Sequence, residues 1–250
     1  YTMWRLRADV IGSSLAIAAL HSRSFEDFLT QSLRVTELAT ANAVSTPGFD
    51  GAASQISGAL AASLRHTPSM RSMSLLSLDG RIAASTNPAN VGKAVSTLSF
   101  LPPDARGTDL LRIGRPWLGR DFADGRPLAE DSAASADAKT FLPITQTLSD
   151  AGVETTLLVA LNPDYFINHM SQKLSPAEGK VSILRYDGTM LMSTDPARTT
   201  GELARGLMRE LHLPEVEAAH FERMDEEGRA VLVAFRASHL YPIVVVTELY

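Results

Sequence analysis

The sequence predicts an α+β protein: a long N-terminal helix followed by two tandem units, each an antiparallel sheet of about five strands with flanking helices. Three observations predict it. Residues 1–46 contain no proline and one glycine, and carry helical apolar spacing. A fifteen-residue segment recurs at a constant offset of 108. The order of elements after each copy also agrees.

In the first element Val10, Ile17, Leu20, Phe28, Val35 and Leu38 fall at intervals of seven, three, eight, seven and three, which keeps one stripe on a helix. Ser13, Ser24 and Gln31 interrupt that stripe, so it is weakly apolar for a coiled-coil seam. Thr46-Pro47-Gly48 ends the helix, because proline disfavours αR in the residue before it. A helix of about 40 residues is roughly 60 Å long, the dimension of a stalk spanning two stacked domains. We therefore expect a stalk over 1–48, a first unit over 49–170 and a second over 171–250. A second helix is expected from Asp50 to Leu64, with Ile56, Leu60 and Leu64 at spacing four.

The repeat pairs Ser74–Pro88 with Ser182–Pro196, and seven of the fifteen positions are identical. Each copy reads as strand, Asp-Gly turn, strand and Ser-Thr-x-Pro punctuation. Asp-Gly between apolar runs signals a hairpin with a type I′ turn, which needs positive φ at both central residues. A connecting segment (91–100) and strands at 110–117, 140–148 and 155–162 follow the first copy. A helical stretch (201–211) and strands at 220–223, 230–235 and 243–247 follow the second. Between the units Asn162-Pro163-Asp164 opens a helix to about Leu174, with Asn162 as its cap. Residues 121–139, rich in Ala, Ser, Asp and Gly without periodicity, read as a long surface loop.

Composition narrows the function. Lys and Arg total 23 against 28 Asp and Glu, a net charge of −5 without a block of like charge, which argues against a nucleic-acid partner. The absence of cysteine removes disulfides, thiolate metal sites and cysteine nucleophiles. The longest apolar stretch near the start, Val10–Leu20, has eleven residues, whereas a membrane span needs about 20. A first residue that is not Met and a last residue directly after a strand-like run read as the ends of an excised piece.

The sequence carries none of G-x-S-x-G, G-x-x-x-x-G-K-[ST], G-x-G-x-x-G or H-E-x-x-H, and no two of its six histidines lie three to five residues apart. No catalytic residue, metal site or cofactor is assigned. Met190, Met192, Met208 and Met224 are read as interior packing rather than a soft-metal or haem site. Arg185 and Tyr186 precede a turn and are read as structural.

The best binding constellation is Arg112–Asp121. Along one strand Leu111, Ile113, Arg115 and Trp117 share a face, placing a cation and a stacking wall beyond two apolar residues. A guanidinium recognises a carboxylate or phosphate through paired donors, and Arg120 adds a second one nearby. Phe141, Pro143 and Thr145 form a comparable stripe on the neighbouring strand, where Thr145 can hydrogen-bond a ligand. The candidate ligand contacts are Arg115, Trp117, Arg120, Phe141 and Thr145. With nineteen Arg against four Lys, any one arginine can equally serve surface pairing, and Trp117 core packing.

The long helix, Asp79-Gly80 and Asp187-Gly188 in paired hairpins, Gly114-Arg115-Pro116 with Gly119-Arg120, Leu161–Phe166 and Arg185–Gly188 together resemble the double Cache family. These are tandem PAS-like sensor domains of bacterial receptors, and the resemblance covers essentially the whole chain. It implies the extracytoplasmic, periplasmic sensor region of an inner-membrane histidine kinase or diguanylate cyclase, inserted between two transmembrane helices. It also implies that the membrane-distal unit binds a small molecule and the proximal unit relays the signal. This region itself is then no enzyme. A small, carboxylate-like ligand and a homodimer through the N-terminal helix are the expected partners. Two other readings stand beside it: a soluble hydrolase with an arginine-anchored anionic substrate, and a ligand-free dimerisation module.

Overall fold

The computed structural model describes residues 2–65, 67–102, 111–128, 134, 138–150, 153–213, 215–225 and 228–250. Helices α1 (Thr2–Val44) and α2 (Ala53–Leu64) come first. Strands β1 (Met70–Leu76), β2 (Ile82–Ser85), β3 (Arg112–Ile113), β4 (Trp117–Leu118), β5 (Arg126–Pro127), β6 (Thr140–Asp150) and β7 (Val153–Leu161) follow. Helix α3 (Pro163–Lys173) leads to β8 (Gly179–Arg185), β9 (Met190–Ser193), α4 (Arg205–Leu211), β10 (Ala218–Met224), β11 (Ala230–Ala237) and β12 (Ile243–Leu249). The chain divides into two units, Gln31–Phe166 and a second made of Tyr1–Thr30 with Ile167–Tyr250.

The first sheet runs β2-β1-β7-β6-β4-β5 with β3 also on β6, and the second runs β10-β11-β12-β8-β9. Read from its hairpin edge, the second sheet repeats the first: hairpin, then last strand, then the strand before it. The duplication extends to register. Ser74 faces Ser85 and Leu76 faces Ile82 across a bulge in β1/β2, while Ser182 faces Ser193 and Leu184 faces Met190 across a bulge in β8/β9. Even the seryl pairs match, with Ser74 and Ser85 hydroxyls 2.8 Å apart and those of Ser182 and Ser193 3.1 Å apart.

The Asp-Gly turn differs from the expected type I′. Only the glycines have positive φ, +76° at Gly80 and +87° at Gly188; Asp79 and Asp187 do not. The Gly80 N–H donates to Ser77 O at 3.0 Å and the Ser77 N–H to Arg81 O at 2.8 Å, a turn closed by a glycine bulge. One left-handed residue suffices when the loop is one residue longer.

Most of the apolar stripe read along α1 lies on its outer face. Val10, Ile17, Leu20, Val35 and Leu38 are exposed, Leu20 by 67% and Leu38 by 62%. The buried face includes Ala18, Ser22, Phe25, Leu29, Leu33, Thr36, Thr40 and Ala43, at steps of three or four. In the second unit Ser22 Oγ donates to Ala234 O (3.0 Å) and Thr247 Oγ1 (2.9 Å). In the first unit Thr40 donates to the Gln146 side chain. Hydroxyls that satisfy each other let small polar residues occupy an interior face.

One further expectation is corrected. The strand expected over 110–117 is two short strands, β3 and β4, because Pro116 lacks an N–H and the Gly114 and Arg115 N–H groups donate to Pro143 O and Phe100 O, both at 2.8 Å. Asn162, directly before α3, accepts from Arg71 at its Oδ1 (2.7 Å). Of the loop expected over 121–139, residues 129–133 and 135–137 lie outside the described residues.

Candidate ligand site

The site residues are delivered by a tight turn between β4 and β5. Gly119 has φ of +110°, and a Cβ there would meet Asp124 O at 2.9 Å, so only glycine lets the chain reverse this closely. Asp124 Oδ1 then accepts the N–H groups of Arg120 (3.1 Å) and Asp121 (3.0 Å). The reversal points Asp121 inward and leaves Arg120 exposed.

Asp121 is buried under converging donors. Its Oδ1 accepts from Ser72 Oγ (2.6 Å), Asn90 Nδ2 (3.0 Å) and the Phe122 N–H (2.7 Å), and its Oδ2 from Asn87 Nδ2 (2.9 Å). Four donors compensate the burial of one charge. Beside it Arg71 donates to Thr140 O (2.8 Å), Arg120 O (3.2 Å) and Asn162 Oδ1 (2.7 Å), and pairs with Asp164 at 3.1 Å. Burial lowers the Arg71 pKa; the like charge of Arg120 adds to that, and Asp164 and Asp121 oppose it. Arg71, Asn87, Arg120, Asp121, Ala123 and Asp124 line an open cleft of about 440 Å³.

The five residues read from the sequence separate in space. Arg120 lines the cleft. Trp117 (5% exposed) and Phe141 (0% exposed) face each other across β4 and β6 in the core rather than an open pocket. Their rings meet at 5.8 Å and 67°, with Phe100 and Phe122 edge-on to Trp117 at 5.6 and 5.8 Å. This apolar closure follows from the alternation of β6, whose other face carries Leu142 and Ile144 inward as well. The Trp117 Nε1 is buried without a hydrogen-bond partner among the described residues. Thr145 is buried opposite Leu158, on the same face as Phe141, and Arg115 is partly buried, its N–H on Phe100 O. Sequence reasoning missed Arg71, Asn87, Asn90 and Asp121. Asn87 stood in the repeated Ser-Thr-x-Pro and Asp121 directly after Arg120, but nothing in the sequence marks Arg71.

In the second unit Arg185 and Tyr186 are structural in the way expected. Arg185 pairs with Asp187 at 2.5 Å and the Tyr186 hydroxyl donates to Ser238 O at 2.6 Å. Met190 and Met192 are interior and Met208 packs against the core, but Met224 is exposed. Among the described residues no group of three His, Asp or Glu could hold a metal ion, and no helix is long and apolar enough to cross a membrane.

No family model matches the sequence, and no curated protein matches it. Solved structures do. The extracellular domain of histidine kinase rpHK1S-Z16 superposes with a TM-score of 0.72 at 17% identity, over 95% of this chain and 94% of that one. The ligand-binding domain of the Pseudomonas fluorescens chemoreceptor CtaA, in complex with L-leucine, gives 0.63 at 14% identity over 98% and 96%. A domain of a sensory box/GGDEF family protein from Vibrio parahaemolyticus gives 0.62 at 13% identity over 97% and 96%. The fold of this chain is thus shared with domains of a histidine kinase, a chemoreceptor and a sensory box/GGDEF family protein. The fold of this chain is that of the double Cache sensor domains.

Proposed function

We propose that this chain is the extracytoplasmic, periplasmic sensor region of a transmembrane receptor, a histidine kinase first and a diguanylate cyclase next. The Gln31–Phe166 unit then binds a small carboxylate-like ligand. The observation that carries the ligand class is the meeting of Arg71 and Arg120 at one cleft, beside an Asp121 already hydrogen-bonded by four donors. Two guanidiniums that disfavour each other gain when an anion sits between them. The ligands named for the neighbours support the class, since L-alanine, L-serine, L-leucine and GABA each carry a carboxylate. Arg115 and Thr145 do not line this cleft and Trp117 and Phe141 pack in the core, so the direct contacts in this reading are those of Arg71 and Arg120.

In this reading the Gln31–Phe166 unit is membrane-distal. The second unit, which holds both the first turns of α1 and the strand β12, is proximal, between flanking transmembrane helices. The ligand favours one of two arrangements by its differential affinity, and α1 and β12 carry a displacement of about 1–2 Å. The exposed stripe of α1, from Val10 to Leu38, packs against the same stripe of a second copy.

Calorimetric titration with acetate, succinate and single amino acids tests the site. Replacing Arg120, an exposed side chain, by alanine removes a charge-assisted contact of about 1.5–3 kcal/mol, at least a tenfold loss of affinity. Arg115→Ala weakens binding less. Undiminished affinity in both variants rejects the site.

A further inference from the structure

The second sheet ends on β10, and among the described residues no strand pairs with its outer edge. That edge is open. β10 keeps an unbroken register with β11 over all seven residues, and it carries no proline, lysine or bulge, the devices that blunt an edge. The opposite edge of the sheet, β9, is four residues long and its ladder is broken by a bulge. The same holds for β2 at the hairpin edge of the first sheet.

The ladder fixes which backbone groups face out. Just beyond the ends of β10 the Asp225 N–H donates to Arg229 O at 2.9 Å and the Ala237 N–H to Glu217 O at 2.8 Å. Hydrogen-bonded positions alternate along an antiparallel pair, so Ala219, Phe221 and Arg223 spend their backbone groups on β11. The N–H and C=O groups of Ala218, His220, Glu222 and Met224 face away from it, and the side chains of these four are exposed. The intervening side chains turn inward, where Ala219 and Phe221 pack against the core and Arg223 pairs with Glu248.

The outward edge complements itself in one register. A second β10 laid antiparallel about Phe221 sets His220 against Glu222 and Ala218 against Met224, twice each, at positions that exchange both backbone bonds. Centring one residue later opposes Glu222 to Glu222, like charges face to face, and centring one earlier opposes His220 to itself. Among the described residues Glu222 has no ion pair of its own. The flanking acids Glu217 and Asp225 are each occupied within their own chain, by His239 at 3.6 Å and Arg229 at 2.9 Å. Beside His220 lies a groove of about 330 Å³, also lined by Leu20, Arg23 and Arg236. Arg236 is held by Glu26 at 3.5 Å, whereas Arg23 stands exposed. The carboxylate that a second copy brings to His220 arrives next to this basic groove.

We propose that β10 is an interaction surface for a second copy of this chain, the two strands pairing antiparallel about Phe221 into one continuous sheet. Such a contact is small, so the pair is weak and forms at high concentration. It needs neither the ligand site of the first unit nor the outer stripe of α1.

Hydrogen exchange of the whole chain, read amide by amide from micromolar to millimolar concentration, tests the pairing. Protection is expected to rise with concentration at the N–H groups of 218, 220, 222 and 224, in step with a species of twice the mass in sedimentation. The amides of 219, 221 and 223 change little, because β11 already holds them. His220→Glu, made at an exposed position, opposes two carboxylates and weakens self-association at least tenfold. Combining it with Glu222→His restores the pairs and the association. Protection at 218, 220, 222 and 224 that does not change with concentration overturns the proposal, whether the chain stays monomeric or dimerises through α1. So does a dimer that His220→Glu leaves intact. Protection that appears only on adding other proteins assigns the edge to a different partner and overturns it as well. The wild-type exchange pattern decides the matter even where a variant does not fold.

Discussion

Asp79 and Asp187, 108 positions apart, close the same turn with the same atom. Asp79 Oδ1 accepts the Arg81 N–H at 3.2 Å, and Asp187 Oδ1 accepts the Thr189 N–H at 3.0 Å. Each is followed by a glycine at positive φ, and each turn is bridged onward, Arg81 to Ala94 and Thr189 to Leu203. The equivalence reaches past the fifteen repeated residues, since the Val95 N–H donates to Gly80 O at 2.8 Å and the Ala204 N–H to Gly188 O at 2.9 Å.

The two glycines are not equally replaceable. A Cβ at Gly80 meets only Val95 O at 3.8 Å, whereas one at Gly188 meets Met208 Cγ at 3.1 Å. Gly80→Ala is expected to cost about 1–2 kcal/mol from its left-handed backbone alone. Gly188→Ala is expected to cost more, because the Met208 side chain must yield as well. Urea unfolding of both variants checks the order, and equal losses would contradict it.

Acid should loosen the second hairpin. Burial opposes ionisation of Asp187, but Arg185 and the Thr189 N–H outweigh it and hold its carboxyl below the usual range. A depressed folded value means that the unfolded chain takes up the proton first. The stabilisation is therefore complete above about pH 4 and is lost as the pH falls through the folded value. Asp187→Asn is expected to flatten the fall of Tm between pH 4 and pH 2; an unchanged slope would reject the role.

His169 acts at milder pH. Its ring stacks on Phe28 with centroids 3.8 Å apart and planes at 16°. Burial lowers its pKa, and the charge of Lys173 lowers it further. Since the folded state disfavours the imidazolium, stability rises with pH through the unfolded value of about 6.5. His169→Phe keeps a stack and removes the titration. The difference in Tm between wild type and variant should shrink from pH 5 to pH 7.5, and a constant difference would show another group at work.

The aromatic box separates packing from hydrogen bonding. Phe141→Ala should cost about 3–5 kcal/mol through the cavity it leaves. Trp117→Phe should cost much less, because the indole N–H gives up no bond among the described residues. Chemical denaturation of the two variants would contradict this if the tryptophan variant were the weaker.

On the outer face of α1, Leu20→Glu and Leu38→Glu should change stability within about 0.5 kcal/mol, since neither side chain is buried. If that stripe joins two copies, sedimentation will show monomers in both variants and dimers in the wild type.

The amino-acid order by itself determined the duplicated hairpins, the long helix and the strands outside 110–127, because Asp-Gly turns, proline stops and alternation are local signals. It also carried Arg120 into the cleft, though not its partners. What only tertiary structure decided is which face of α1 lies inward. Ser22 and Thr40 look polar along the chain, yet they are buried, with Thr247, Ala234 O and Gln146 meeting their hydroxyls. Trp117 and Arg120, three positions apart, went to core and cleft because Gly119 reverses the chain between them. Arg71 became part of the cleft through bonds to residues 49 to 93 positions away, a distance at which sequence spacing carries no information.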